Sequence, residues 1–89
     1  MDDSGLRALV VEFARSRAAG RTFCPSEVAR ATGESEWRRL MPEVREAAFA
    51  LADEGVVVVM QRGEVVDGRT ARGPLRIAAA PPGARRRSG

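Results

Sequence analysis

Apolar residues near the start of the chain are spaced three and four positions apart, which is the spacing of one face of an α-helix. The members of this face are Leu6, Leu9, Val10, Phe13 and Ala14. Asp3 or Ser4 is the candidate N-cap because its side-chain oxygen can accept a backbone N–H, and Gly20 is the expected stop. The pattern therefore predicts a first helix that serves as a scaffold.

A short second helix is predicted from Pro25, after an extended link that ends at Phe23. Proline suits the first helical position because the amide that it lacks would be unpaired there. Glu27 falls in the first turn, where its negative charge meets the positive end of the helix dipole. Thr32-Gly33 is expected to end the helix.

A long third helix is predicted as far as Gly55, with Ser35 as its candidate N-cap. Its apolar face is formed by Trp37, Leu40, Met41, Val44, Ala48, Leu51 and Ala52. Pro42 interrupts this pattern because it would remove one hydrogen bond and clash with the preceding turn. We therefore expect a turn over residues 36–41 and a fresh start of the main helix near Pro42.

The second part of the chain has the pattern of a β-hairpin. The apolar run from Val56 to Met60 predicts a buried strand, and apolar positions alternate in residues 74–79, which predicts the returning strand. The polar loop from Arg62 to Gly73 would be a wing. The predicted fold is α+β, mainly α: a winged helix-turn-helix with three helices and a C-terminal hairpin wing. It would occupy residues 1–79, followed by a disordered basic tail at 80–89.

Composition limits the chain to one small domain. Its 89 residues are 44% hydrophobic but only 4% aromatic. A single cysteine, Cys24, rules out an internal disulfide, and no apolar run approaches the roughly 18–20 residues of a membrane helix. The N-terminus also lacks the basic and apolar segments of a signal peptide. We therefore expect a cytoplasmic protein without a membrane partner.

Charge is divided unevenly along the chain. Residues 1–54 hold eight arginines against ten acidic residues, whereas residues 55–89 hold seven arginines against Glu64 and Asp67. The net charge of +3 therefore arises from the hairpin and the tail. Every basic residue is arginine, whose guanidinium group can bind two phosphate oxygens at once. A GC-rich genome would produce the same bias toward arginine, so both explanations stay open.

Several blocks of this sequence resemble a small bacterial family, the domain of unknown function DUF3253. The blocks are Thr22 to Ala29, Trp37 to Arg45, Gln61 to Gly63 and Ala71 to Arg76. They follow one another without gaps inside each block, and the resemblance covers about residues 6 to 78. It implies a winged-helix-like fold and no established activity.

The residues needed for common catalytic centres are missing. The chain has no histidine and no tyrosine, so Ser-His, Cys-His and histidine-metal sites cannot be assembled. Cys24, near a helix N-terminus and Arg21, is the one arguable reactive group. A packed, unreactive cysteine is the favoured explanation, because a lone cysteine commonly behaves as a small hydrophobic residue. We therefore expect a protein that is not an enzyme, with no catalytic residue, metal or cofactor.

Binding of double-stranded DNA is the predicted function, through arginines of the third helix and the hairpin. The candidate contacts are Arg38, Arg39, Arg45, Arg62, Arg69, Arg72 and Arg76. Glu43 and Glu46 on the third helix oppose this prediction unless they pair with Arg39 or Arg45. The alternative is a protein-interaction module or homodimer that covers the surplus apolar surface of residues 56–60. An accessory domain of an enzyme would have the same sequence features.

Overall fold

A computed structural model describes residues 3–17 and 21–81 of the chain. Three α-helices and a three-stranded antiparallel sheet form this part of the protein, which confirms the α+β, mainly α class. The elements are α1 (Asp3–Ser16), α2 (Pro25–Ala31), a 3₁₀ turn (Trp37–Leu40), α3 (Met41–Asp53), β1 (Val57–Gln61), β2 (Glu64–Val65) and β3 (Arg76–Ala79). None of the described helices has the length and apolarity needed to cross a membrane. The predicted tail from residue 82 onward lies outside the described residues.

The first helix has different limits from those predicted. It includes both Asp3 and Ser4, so neither is its N-cap, and the acidic side chain of Asp3 lies in its first turn. An acidic residue is favourable there because it faces the positive end of the helix dipole. The helix ends at Ser16, whose hydroxyl donates to the Phe13 carbonyl at 3.0 Å. The predicted stop at Gly20 lies outside the described residues.

The second helix begins at Pro25 and ends at Ala31, as predicted. The backbone N–H of Cys24 donates to the Glu27 carboxylate at 2.9 Å, which satisfies one amide at the helix entrance. At the other end, the Thr32 hydroxyl donates to the Ala29 carbonyl at 2.7 Å, and Gly33 has a positive φ of 81°. A polar contact at each end therefore defines this short helix.

The fresh start predicted near Pro42 is confirmed. The 3₁₀ turn leads directly into α3, and Pro42 is the second residue of that helix. The prediction that Ser35 caps the third helix is wrong, because Ser35 lies in the turn before Trp37 and the N-cap of α3 is Leu40. A helix starting at Ser35 would place proline in its interior, where the missing amide and the ring are both unfavourable.

The first strand begins one residue later than predicted. Val56 belongs to the end of α3, where its N–H donates to the Leu51 carbonyl at 2.9 Å and Gly55 adopts a φ of 79°. This is the hydrogen bond of a Schellman motif, which needs a residue in the left-handed region. The prediction that all residues from Val56 to Met60 are buried is also wrong. Of these residues only Val57 and Val59 are buried, and Val56 is 39% exposed.

The rest of the hairpin is more structured than predicted. The strand predicted over residues 74–79 covers only Arg76–Ala79, beyond Pro74, which has no amide to donate. The loop predicted over Arg62–Gly73 contains β2, which pairs with β1 through Gln61 opposite Glu64. The sheet order is β2-β1-β3, and Phe23 adds an antiparallel bridge to Ile77 on the outer side of β3.

The core consists of two clusters. The larger cluster joins α1, α2 and α3 to the sheet through Leu6, Val10, Ala14, Phe23, Val28, Ala29, Val44, Ala47, Ala48, Leu51, Val57 and Ile77. The smaller cluster consists of Phe49, Val59 and Leu75, with Val66 and Ala71 packed against it. The smaller cluster holds the loop between β2 and β3 on α3.

Replacing Gly68 by alanine should destabilise the smaller cluster. A Cβ at this position would overlap the Phe49 ring, 2.8 Å from its Cδ1 atom, and would lie 3.1 Å from Val59 Cγ1. Overpacking of this kind lowers the free energy of unfolding by about 1–3 kcal/mol. Urea denaturation of Gly68→Ala measures the loss. In the Phe49→Leu background the same substitution should be less harmful, and equal losses in both backgrounds would contradict the proposed overlap.

Acid should weaken the entrance of α2. The pKa of Glu27 is lowered from the ordinary glutamate value, chiefly by the hydrogen bond from the Cys24 N–H and also by Arg17, against a smaller opposing effect of burial. Its contribution to stability is therefore complete above the ordinary glutamate pKa and is lost as pH falls through the lowered folded pKa. Urea denaturation at a series of pH values measures this contribution, and Glu27→Gln should remove it from the pH dependence of the unfolding free energy. Glu12→Gln, at an exposed residue of α1, is the control and should keep it.

Candidate nucleic-acid interface

Two arginines of the wing lie close together at one end of the sheet. Arg62 is in the turn between β1 and β2, directly after Gln61. The side-chain amide of Gln61 donates to the Arg72 carbonyl, and also to the Pro74 carbonyl at 3.3 Å, so the backbone of Arg72 is held beside that turn. Both arginines are exposed. Within the described residues, neither guanidinium group has an ion pair or a hydrogen bond.

Arg62 has an unfavourable backbone conformation. Its φ is 54° and that of Gly63 is 82°, so both central residues of the two-residue turn lie in the left-handed region. Turns of this type prefer Asn, Asp or Gly at the first position. A residue with a larger side chain costs about 1–2 kcal/mol there. No other non-glycine residue of the described chain has a positive φ. The turn therefore retains an arginine at a position where a smaller residue would be more stable.

The 3₁₀ turn carries the next pair of predicted contacts. The Arg38 guanidinium carbon lies 4.5 Å from the centroid of the Trp37 ring. Arg39 forms an ion pair with Glu36 at 3.5 Å, but its side chain is 83% exposed. An exposed pair of this kind contributes only about 0–1 kcal/mol, so Arg39 can exchange it for a phosphate at little cost.

Arg45 and Arg69 come together around Phe49. Their guanidinium carbons lie 5.9 Å and 5.4 Å from the centroid of that ring. Arg69 also forms an ion pair with Asp53 on α3 at 3.0 Å. The loop that carries Arg69 is therefore held on α3 by an aromatic contact and an ion pair, and Arg69 is less available to a ligand than Arg62 or Arg72.

Arg76 is occupied by the segment that enters α2. It donates to the Thr22 hydroxyl at 2.8 Å, to the Thr22 carbonyl at 3.3 Å and to Cys24 Sγ at 2.8 Å. These bonds continue the pairing of Phe23 with Ile77 on the neighbouring residues. The arginine next to the cysteine is therefore Arg76, where the sequence suggested Arg21.

Acidic side chains remain on α3. Glu43 and Glu46 are both exposed, and within the described residues neither pairs with Arg39 or Arg45. Glu46 lies beside Arg45 in a shallow surface depression that also includes Met41, Pro42 and Phe49. Two uncompensated carboxylates repel phosphate, so the surface of α3 is a poor match for a nucleic-acid groove.

Sequence reasoning missed Arg30, the arginine of α2 that contacts Trp37. Its guanidinium carbon lies 4.8 Å from the ring centroid. Helical periodicity could not link Arg30 to Trp37, because a turn separates α2 from Trp37. The one available signal was the single tryptophan of the chain, which is followed by two arginines.

The structure defines a small α+β domain in which the guanidinium groups of Arg62 and Arg72, on the β-hairpin, have no ion pair or hydrogen bond within the described residues. The chain belongs to the DUF3253 family, a protein family of unknown function whose model matches residues 3–80, which confirms the resemblance of the sequence blocks. No curated protein matches the chain. Within the described residues, no cluster of His, Cys, Asp or Glu side chains is suited to hold a metal ion.

Stability measurements should distinguish an arginine whose guanidinium group bonds to its own chain from one whose guanidinium group has no partner within the described residues. Arg76→Gln removes three hydrogen bonds that fasten residues 22–24 to β3, so its unfolding free energy should fall by about 1–2 kcal/mol. Arg72→Gln is the matched control, because within the described residues Arg72 is bonded through its backbone carbonyl and not through its guanidinium group. The unfolding free energy of this variant should stay within about 0.5 kcal/mol of wild type. Urea denaturation provides both values. Equal losses of unfolding free energy in the two variants would contradict this distinction between Arg76 and Arg72.

Proposed function

We propose that this protein is a DNA-binding winged helix without enzymatic activity, which holds duplex DNA by electrostatic contacts to the phosphate backbone. The order of elements supports the winged-helix assignment: a helix, a short strand at Phe23, two further helices and a hairpin. A free thiol at Cys24 suits a reducing compartment, so a cytoplasmic, transcription-related role is part of this proposal.

The observation that carries the proposal is the pair of exposed, unpaired guanidinium groups of Arg62 and Arg72 at one end of the sheet. Guanidinium groups bind phosphate through two parallel hydrogen bonds, and each neutralised phosphate releases counterions from DNA. The unfavourable φ of Arg62 adds to this argument, because strained residues occur preferentially at functional sites.

The proposal assigns different roles to the seven predicted arginines. Arg62 and Arg72 contact phosphates from the hairpin, and Arg38 and Arg39 do so from the 3₁₀ turn. Arg69 and Arg76 instead position the elements that carry them, because their guanidinium groups bond to other parts of the chain. Arg45 is half-buried and contacts the Phe49 ring of its own helix, so it contributes less than the exposed arginines. The carboxylates of Glu43 and Glu46 weaken the contribution of α3. The hairpin therefore supplies more of the affinity than the helix.

Replacing the two wing arginines should weaken DNA binding and reduce its dependence on salt. The variant Arg62→Asn/Arg72→Gln removes two phosphate contacts, so the slope of log affinity against log salt should become shallower by about 1.8. Asparagine suits the conformation of residue 62, so the variant should fold at least as stably as wild type. Fluorescence anisotropy with a short generic duplex at several salt concentrations measures the slope.

The matched control is Arg15→Gln/Arg21→Gln. It removes the same charge at two exposed arginines that have no ion pair within the described residues. Its slope should stay close to that of wild type. Absence of binding by the wild-type protein at low salt would remove the DNA-binding proposal. An equal effect of both double variants would instead indicate that only net charge matters, and would remove the role of the wing.

A second candidate function, a homodimer, is favoured by an exposed apolar residue on the edge strand of the sheet. Val65 is 64% exposed in the two-residue edge strand β2, opposite Met60. Val56, which precedes β1, is 39% exposed. Edge strands can pair with a second copy of themselves.

Sedimentation tests the dimer. A dimer should dissociate when Val65 is replaced by lysine, because a charge on an edge strand opposes pairing. Ala8→Lys, which adds the same charge at an exposed residue of α1, is the control and should leave the assembly unchanged. A wild-type protein that sediments as a monomer at high concentration would remove this candidate.

A further inference from the structure

Two arginines from different elements stack on the single tryptophan of the chain. Arg30, in α2, and Arg38, in the 3₁₀ turn, have guanidinium carbons 4.8 Å and 4.5 Å from the Trp37 ring centroid. Both arginines are exposed, whereas Trp37 is half-buried and packs against the main core cluster. A ring anchored in the core therefore contacts two positively charged groups at the surface.

Stacking prepares these arginines for an anion. A guanidinium group that stacks on a ring keeps its N–H donors in its own plane, where they can bond to other groups. The ring also restricts the long side chain before a ligand arrives, so less conformational entropy is lost on binding. Arg30 and Arg38 thus differ from Arg17, Arg39 and Arg69, which contact carboxylates.

No acidic side chain in the part of the chain that the structure describes forms an ion pair with Arg30 or Arg38. Glu34 and Glu36 lie in the turn between α2 and Trp37, but within the described residues neither forms an ion pair with Arg30 or Arg38. The acidic partner found in this turn is Glu36, which contacts Arg39. Within the described residues, the donors of the two stacked arginines therefore have no protein acceptor, and two such cations on one ring favour an oxyanion as ligand.

We propose that Arg30, Trp37 and Arg38 form a phosphate-binding clamp for the nucleic-acid backbone; this inference rests on the proposed DNA binding and adds a second contact site to the wing. Trp37 is a positioning residue that orients the two guanidinium groups, and Arg30 and Arg38 bind the phosphate. The clamp lies immediately before α3, so DNA bound there would lie near the N-terminal end of that helix, which carries the exposed Glu43 in its first turn.

Tryptophan fluorescence can report on this site directly, because Trp37 is the only tryptophan and the chain has no tyrosine. Adding a short duplex to the wild-type protein should change the emission of Trp37. The change in Trp37 emission should also occur in the Arg62→Asn/Arg72→Gln variant, because the clamp is intact there. It should require higher DNA concentrations, because this variant binds DNA more weakly.

Anisotropy measurements with the same duplex test the two arginines. Because the two arginines share one phosphate, Arg30→Gln/Arg38→Gln should make the salt slope shallower by about 0.9, whereas Arg15→Gln/Arg21→Gln should not. Arg30→Lys/Arg38→Lys keeps the charges but loses the planar fork. It should therefore retain the slope and bind more weakly than wild type. Circular dichroism melts verify that each variant is folded, and the lysine variant provides a second test if the glutamine variant is not.

The possible failures can be distinguished. If the wild-type protein does not bind duplex DNA at low salt, both the proposed function and the clamp are wrong. If it binds with unchanged Trp37 emission, and the Arg30/Arg38 and Arg15/Arg21 glutamine variants behave alike, the clamp is wrong while DNA binding through the wing stands. A changed emission together with a loss of slope specific to Arg30 and Arg38 supports the clamp.

Discussion

The packing of the Phe49 ring against the backbone of Gly68 is the contact on which the candidate interface depends. The loop between β2 and β3 has little regular structure, and this contact places it on α3. A side chain at position 68 would occupy the volume of the ring, so a glycine is required by space rather than by backbone conformation. Val59 and Leu75 complete the cluster, and Arg69 closes it by pairing with Asp53. The position of Arg72 relative to the helices follows from these few contacts.

A single residue type performs two physical tasks in this protein. Arginines with partners inside the chain connect its elements: Arg69 connects the wing loop to α3, and Arg76 connects β3 to the entrance of α2. Arg62 and Arg72 on the hairpin and Arg38 on the 3₁₀ turn are exposed and have no ion pair within the described residues. The uniform use of arginine hides this division in the sequence, because an arginine that bonds to its own chain and one that awaits a ligand look identical there.

Local patterns predicted the helices well because the causes of those patterns are local. Pro42 requires a new helix start wherever the chain goes next, and Pro25 with Glu27 defines a helix entrance within four residues. The strands were harder to predict. Val56 has the composition of a strand residue, but its N–H completes the end of α3. The strand β2 was missed because it is only two residues long and both of its residues are exposed, so it has no alternation of buried and exposed positions.

The partners of the candidate site residues could not be predicted, because these contacts connect distant parts of the chain. Arg76 bonds to Thr22, and Arg30 reaches a tryptophan beyond the next turn. Only the tertiary arrangement shows which guanidinium groups are already engaged. The sequence therefore predicted the arginine-rich hairpin as a candidate interface, but it did not separate its ligand-facing arginines from its structural ones.

The most direct test of this division is nuclear magnetic resonance of the arginine side-chain N–H groups during titration with duplex DNA. The account predicts that the signals of Arg38, Arg62 and Arg72 shift as DNA is added, while those of Arg69 and Arg76 keep their positions because their bonds within the chain persist. Shifts confined to Arg69 and Arg76, or no shift in any arginine signal at low salt, would contradict it.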